Sequence, residues 1–166
     1  MVSVIFRNTY SVRLRPATAA DIPHVMQLDR ESSTAAHWTE QQYQAMFEPN
    51  LSGPERLVVV ADDALGGHGV RLVGFLVARH LAPEWELENI VVAQQARRHG
   101  VGKRLMEVLL ARARETHSAA VFLEVRESNT AARNLYERAG FEQTGRRASY
   151  YINPAEDAIL YRWSPV

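Results

Sequence analysis

Residues 87–103, L-E-N-I-V-V-A-Q-Q-A-R-R-H-G-V-G-K, join an apolar, β-branched run to two glycines that open a strongly periodic helix. Such a junction suits a phosphate. Gly100 and Gly102 carry no Cβ, so backbone N–H groups can approach an anion, and the first helical turn directs its unpaired N–H groups and positive dipole end toward it. The common nucleotide motifs do not fit. A single residue separates the glycines and Arg104 follows Lys103, which excludes Walker A; the third glycine of a dinucleotide fingerprint would fall at Leu105. Lys103 in the first turn favours a ligand, because the dipole disfavours a cation there unless an anion binds. Taken alone, the segment also fits a tight strand-to-helix turn with solvated arginines.

A second set of residues follows. Glu124 lies in the segment V-F-L-E-V-R, where Val121, Leu123 and Val125 alternate on one face. A carboxylate in such a strand is costly unless partnered or useful, and on the pattern alone it reads as a partly exposed ion pair to Arg126 or Arg79. Asn129 and Tyr136 stand seven residues apart, two turns along nearly one face of a helix. Asn129 reads as its N-cap and Tyr136 as core aromatic filling. Gly140 and Phe141 read as a left-handed helix stop and the apolar contact after it. With no cysteine and no Gly-x-Ser-x-Gly elbow, an activated nucleophile has no candidate.

The elements that must carry these residues alternate in the later half of the chain. Strands are expected over 86–93, 120–126, 141–146 and 158–163, and helices over 100–116 and 129–139. The first of these helices presents Val101, Leu105, Val108 and Leu109 on one face, while Arg104, Glu107 and Arg114 read as a solvated one. Upstream, a short strand over 12–15 ends at Pro16, and Asp21-Ile22-Pro23 starts a helix carrying Val25, Met26 and Leu28. A second helix runs from the Thr39 cap through Tyr43, Met46 and Phe47 to Pro49. Strands over 57–61 and 72–79 form a hairpin through the Gly-Gly-His-Gly stretch at 66–69, which precedes a strand and so is not a second phosphate loop. The pattern predicts a mixed sheet with helices packed on it, in a single domain over 1–166 with 1–10 as a loosely ordered extension.

Composition narrows the function classes. Nineteen basic and nineteen acidic residues balance, so neither nucleic acid nor an anionic membrane is an indicated partner and any anion site must be local. The six histidines, scattered without metal-ligand spacing, and the lack of cysteine point to no metal. The N-terminal ten residues lack a signal-peptide core, no apolar run reaches membrane-spanning length, and a cytoplasmic protein, monomeric or weakly dimeric, is expected.

The Arg97-x-x-Gly100-x-Gly102 loop, with Leu-Glu-Val-Arg-x-Ser-Asn and Ala-x-x-Leu-Tyr-x-x-x-Gly-Phe downstream, resembles the GNAT family of N-acetyltransferases over about residues 11–163. From 87 to 162 it is most similar to the branch that acetylates the N-terminal alanine of a ribosomal protein. The resemblance implies an α/β (α+β) fold with a mixed, mostly antiparallel sheet of about six to seven strands and about four helices. It implies acetyl-CoA as cosubstrate, held by Ile90, Val91, Val92, Arg97, Arg98, His99, Gly100, Val101, Gly102, Lys103 and Asn129. Glu124 would be the general base, through water, and Tyr136 the acid that protonates the departing thiolate. Trp38, Tyr150, Tyr151 and Asp157 would shape the pocket for the acceptor, a protein N-terminus such as that of a small-ribosomal-subunit protein. Two departures stand out: His37-Trp38-Thr39 stands where the branch usually has Pro-Trp-Ser or Pro-Trp-Thr, and His99 where arginine is common. A small-amine or antibiotic acetyltransferase and a catalytically silent acetyl-CoA-binding module are the competing readings.

Overall fold

In a computed structural model that describes residues 11–48, 53–64 and 71–165, one seven-stranded sheet carries the whole architecture. The elements are β1 (Val12–Pro16), α1 (Ile22–Glu31), α2 (Glu40–Ala45), β2 (Arg56–Asp63), β3 (Arg71–Leu81), β4 (Glu84–Val92), α3 (Val101–Glu115), β5 (Ala120–Arg126), α4 (Thr130–Arg138), β6 (Glu142–Ile152) and β7 (Ala155–Trp163). Their order across the sheet is β1-β2-β3-β4-β5-β7-β6. All neighbours are antiparallel except β4 and β5, so the expected mixed, mostly antiparallel sheet with four helices is present. The expected extension over 1–10, the glycine hairpin at 66–69 and the helix stop at Pro49 lie outside the described residues. Among the described residues no helix is long and apolar enough to cross a membrane.

The core forms on both faces of β3, where Val73, Phe75, Leu76, Val77 and Ala78 are fully buried. Phe75 meets the Tyr43 ring of α2 edge-on at 6.3 Å. The opposite face receives α3, and Gly74 is the point of closest approach: a Cβ there would lie 3.1 Å from the Val91 carbonyl oxygen and 3.3 Å from Val101 Cγ1. Besides the expected Val101, Leu105 and Leu109, α3 buries Met106, Leu110 and Ala113, a wider apolar stripe than the sequence periodicity suggests. Its charged face is less solvated than expected, since Arg104 donates to the Val12 carbonyl at 2.6 Å and Arg114 stands over the Trp163 ring at 4.9 Å. Beyond the core, β6 is much longer than the strand expected over 141–146. Most of its residues are exposed, so it carries no alternation by which a sequence reveals a strand.

Three features shape the middle and the far side of the sheet. Between Val77 and Ala78 the β3–β4 register shifts, leaving Glu88 as an extra, bulged residue on β4. The parallel β4–β5 pairing covers only Glu84–Glu86 against Ala120–Phe122. Helix α4 is tied to β7 by Tyr161, whose hydroxyl donates to Glu137 at 2.6 Å and accepts from Arg133 Nε at 3.2 Å.

At the other edge Arg15 clamps β1 to its surroundings, bonding Asp21 at 2.8 Å and Asp62 at 2.7 Å. The hydrogen bonds from Arg15, against the opposing effect of burial, hold the Asp21 carboxyl at about 2. A depressed carboxylate stabilises the fold above its unfolded value and loses that contribution as pH falls through the folded one. Arg15→Ala should therefore lower stability at neutral pH and flatten the loss between about pH 4 and pH 2 relative to wild type, read by urea unfolding across pH. Gly74→Val should cost about 1–3 kcal/mol by overpacking the β3–α3 contact, read as a fall in the denaturant midpoint.

Candidate active site

Beyond Glu86 and Phe122, β4 and β5 separate, and the unpaired edges of residues 87–92 and 123–126 face each other across a cleft of about 1680 Å³. That exceeds the roughly 300–1,000 Å³ of a site for one drug-sized ligand, so the cleft has room for two reactants. It is lined by residues 32–38 before α2, by β4, the start of α3, the end of β5, α4, and Tyr150 and Tyr151 of β6.

At one end stands the glycine loop. Gly100 has φ 79 in open space, with nothing within 4 Å of where a Cβ would stand, so its requirement is conformational. Gly102 answers a different demand: a Cβ there would meet Leu135 Cδ2 of α4 at 3.1 Å, so it sets the approach of α3 to α4. The first helical bond of α3 runs from Arg104 N to Gly100 O at 3.0 Å, which leaves the N–H groups of Val101, Gly102 and Lys103 without intrahelical acceptors. Arg97 folds back to donate through Nε to the Val92 carbonyl at 3.1 Å, and Arg98, at φ 63, continues the loop. Arg97, Arg98, Gly100, Val101, Gly102 and Lys103 all line the cleft, whereas His99 does not. Lys103 is exposed, with Glu107 at 3.8 Å.

The β4 edge supplies further donors. Ala93 N donates to Val73 O at 2.8 Å, so by the alternation of an antiparallel ladder Val91 also turns its polar groups toward β3. Ile90 and Val92 therefore turn theirs toward the cleft.

Glu124 at the end of β5, Asn129 at the start of α4 and Tyr136 within it all line the same cleft. Glu124 pairs with Arg147 of β6 at 3.0 Å and accepts a hydrogen bond from Tyr150, which raises the tyrosine's pKa. Neither expected partner is the one found: Arg126 pairs with Glu156 and lies over the Tyr151 ring at 4.1 Å, and Arg79 is taken by Glu86 and Glu88. Asn129 caps α4, its side chain accepting from Ala132 N at 3.2 Å, and its amide borders the same cleft. Tyr136 packs against Phe141 and Tyr161 at 6.0 and 6.1 Å, and burial pushes its hydroxyl pKa up.

The far end is bordered by Trp38 and by Tyr150 and Tyr151, whose rings meet edge-on at 5.2 Å. Asp157 does not belong to this lining. Its carboxylate pairs with Arg146 at 2.8 Å and accepts from Ser149 N at 2.8 Å, so it fixes the irregular stretch of β6 just before the two tyrosines. Its place is that of a support for the wall, behind the two tyrosines.

Sequence reasoning passed over Glu86 and Glu88, which also line the cleft. Glu88, at the bulge, pairs with Arg56 and Arg79, and burial is the main cause that raises its pKa. The signal was available, since acidic residues interrupt an apolar strand there as Glu124 does in β5. Also missed was a buried group beneath the 32–38 segment: Asn89 Nδ2 donates to Asp29 and to the Tyr43 hydroxyl, both at 3.3 Å.

Comparison with known proteins identifies the family and the fold. Residues 22–141 match the model of the acetyltransferase (GNAT) family. The chain is 30% identical over 155 residues to the [ribosomal protein bS18]-alanine N-acetyltransferase of Salmonella typhimurium, covering 92% of this chain and 95% of that protein. It is 34% identical over 150 residues to a Mycobacterium leprae protein of unassigned function; that match takes in 87% of this chain but spans only 38% of the longer relative. Among solved structures, the ribosomal-protein-S18-alanine N-acetyltransferase from Escherichia coli superposes with a TM-score of 0.74 at 25% identity, covering 93% of this chain and 94% of that one. Arabidopsis thaliana NAA60, solved in complex with acetyl-CoA, shares the fold with a TM-score of 0.80 at 18% identity over 93% of this chain and 98% of that one. The protein is an acyltransferase, and its chain belongs to the acetyltransferase (GNAT) family.

Proposed function

We propose that the chain, read as one N-acetyltransferase domain, transfers the acetyl group of acetyl-CoA to the α-amino group of a protein N-terminus, in the cytoplasm and by direct transfer within a ternary complex. The observation that carries this reading is the splayed β4–β5 cleft, which has an anion-binding helix start at one end and lines its middle with Glu124, Asn129 and Tyr136. The similarity to ribosomal-protein alanine N-acetyltransferases supports the choice of a protein N-terminus, and a ribosomal protein is the acceptor it favours.

The free N–H groups of Val101, Gly102 and Lys103 suit a pyrophosphate, and Arg97 and Arg98 add charge beside it. The cosubstrate brings a thioester, whose carbonyl oxygen gains negative charge as the amine adds. The N–H of Ile90 or Val92, aimed into the cleft, would bond that oxygen more strongly as its charge develops. Asn129 keeps an amide N–H₂ for the extended arm while its oxygen caps α4.

The amine's nitrogen forms the new N–C bond and the C–S bond breaks, so two protons leave the nitrogen and one reaches sulfur. Glu124 takes the first through water. Tyr136, kept protonated by burial, donates to the leaving thiolate and recovers its proton from the nitrogen, which leaves one proton for solvent. An α-amino group with pKa near 7.8 is already about 15% neutral at pH 7, against less than about 0.1% for lysine, so one modest base suffices for an N-terminus.

Glu124→Gln and Tyr136→Phe should each lower kcat by about 10²–10⁴-fold with acetyl-CoA affinity nearly unchanged, measured by CoA release and calorimetry. Unchanged turnover in both would remove the catalytic assignment. Mass spectrometry of acetyl transfer to peptides beginning with Ala, Ser or Met, and to internal lysine, tests the acceptor. Transfer to the N-terminal amine is expected; transfer confined to lysine or polyamines would overturn the protein-N-terminus reading.

A further inference from the structure

Asp29, in the last turn of α1, is 2% exposed, yet neither lysine nor arginine pairs with it among the described residues. A buried carboxylate is expensive unless several donors surround it. Its donors come from three separate segments. Asn89 of β4 gives its side-chain amide at 3.3 Å, His37 its backbone N–H at 3.2 Å, and Tyr43 of α2 its hydroxyl. The His37 ring, half exposed, brings Nδ1 to 3.8 Å.

Each of those donors leads to the acceptor end of the cleft. Asn89 lies directly between the bulged Glu88 and Ile90 on the β4 edge. His37 holds φ 54, a left-handed conformation unusual for a residue with a Cβ, and its N–H bond to Asp29 helps keep it there. That turn sets Trp38, whose ring packs on Tyr43 at 5.5 Å. Every residue from 32 to 38 lines the cleft, while Asp29 itself does not. A carboxylate serving stability alone could be replaced by an apolar contact between α1 and β3. What an apolar contact could not do is hold a loop backbone, a helix hydroxyl and a strand amide in fixed register.

We infer that Asp29 is a positioning residue for the acceptor: its buried carboxylate locks the 32–38 lip to the bulged edge of β4 and thereby sets how the incoming amine is held. The inference rests on the proposed amine acetylation. Asp29→Asn keeps the shape but turns an N–H₂ toward donors, and Tyr43→Phe removes one donor from the same carboxylate.

The full chain and both variants should be compared in steady-state kinetics with an N-terminal peptide and in calorimetric titration with acetyl-CoA. Asp29→Asn is expected to raise the acceptor KM about tenfold or more while kcat and the acetyl-CoA Kd stay within about twofold, and Tyr43→Phe to show the same split at smaller size. An unchanged acceptor KM, or a KM and an acetyl-CoA Kd that rise by one common factor, overturns the positioning role. Should Asp29→Asn fail to fold, Tyr43→Phe decides on the same readout. A wild-type chain that binds acetyl-CoA but acetylates no amine overturns the acyl-transfer reading and this inference with it, whereas an active wild type with insensitive variants overturns the inference alone.

Discussion

The pairing of β4 with β5 stops after three residues on each strand, and the site exists because it stops there. Two strands in the middle of a sheet would ordinarily satisfy each other's polar groups along their length. Here the extra residue at Glu88 distorts β4 just past the last pair, and β7, inserted between β5 and β6, holds β5 firmly on its other side. The strands part, and a row of backbone donors and acceptors is left facing a cleft between two well-ordered walls.

The rest of the molecule serves to keep that opening at a fixed width. Gly74 lets α3 settle onto β3, and Gly102 lets α4 settle onto α3, so the two helices close the cleft from behind at van der Waals distance. Tyr161 ties α4 to β7 through Glu137 and Arg133, which fixes the height of Tyr136. Toward β5 and β6 the walls are also held by charge: Arg147 to Glu124, Arg126 to Glu156, and, across the cleft, Arg56 and Arg79 to Glu88. The start of α3 and the ion-paired strands thus give the cleft two unlike ends.

Much of this was legible in the chain. The β-branched run into Gly100, the periodicity of α3, the Asn129 cap and the Gly140 stop are local signals, and local chemistry produces them. Glu124 was visible as a carboxylate in an apolar strand. Its partner was not, because Arg147 lies on β6 and reaches it only through the order β5-β7-β6, which no local pattern encodes. The bonds of Asp157 were hidden for the same reason: its contact with Ser149, just before Tyr150 and Tyr151, comes from a hairpin register with an irregularity there. Asp29 and Asn89, sixty positions apart, carry no joint signature in one sequence.

The open edge has one more consequence. A cleft bounded by two parted strand edges is a sheet split in its middle, and an extended ligand that bonded Ile90 and Val92 would join it as an eighth strand. For its residence time such a ligand is part of the fold. Its arrival would extend the hydrogen bonding of the sheet and its departure undo it, so each turnover would also be a small cycle of assembly.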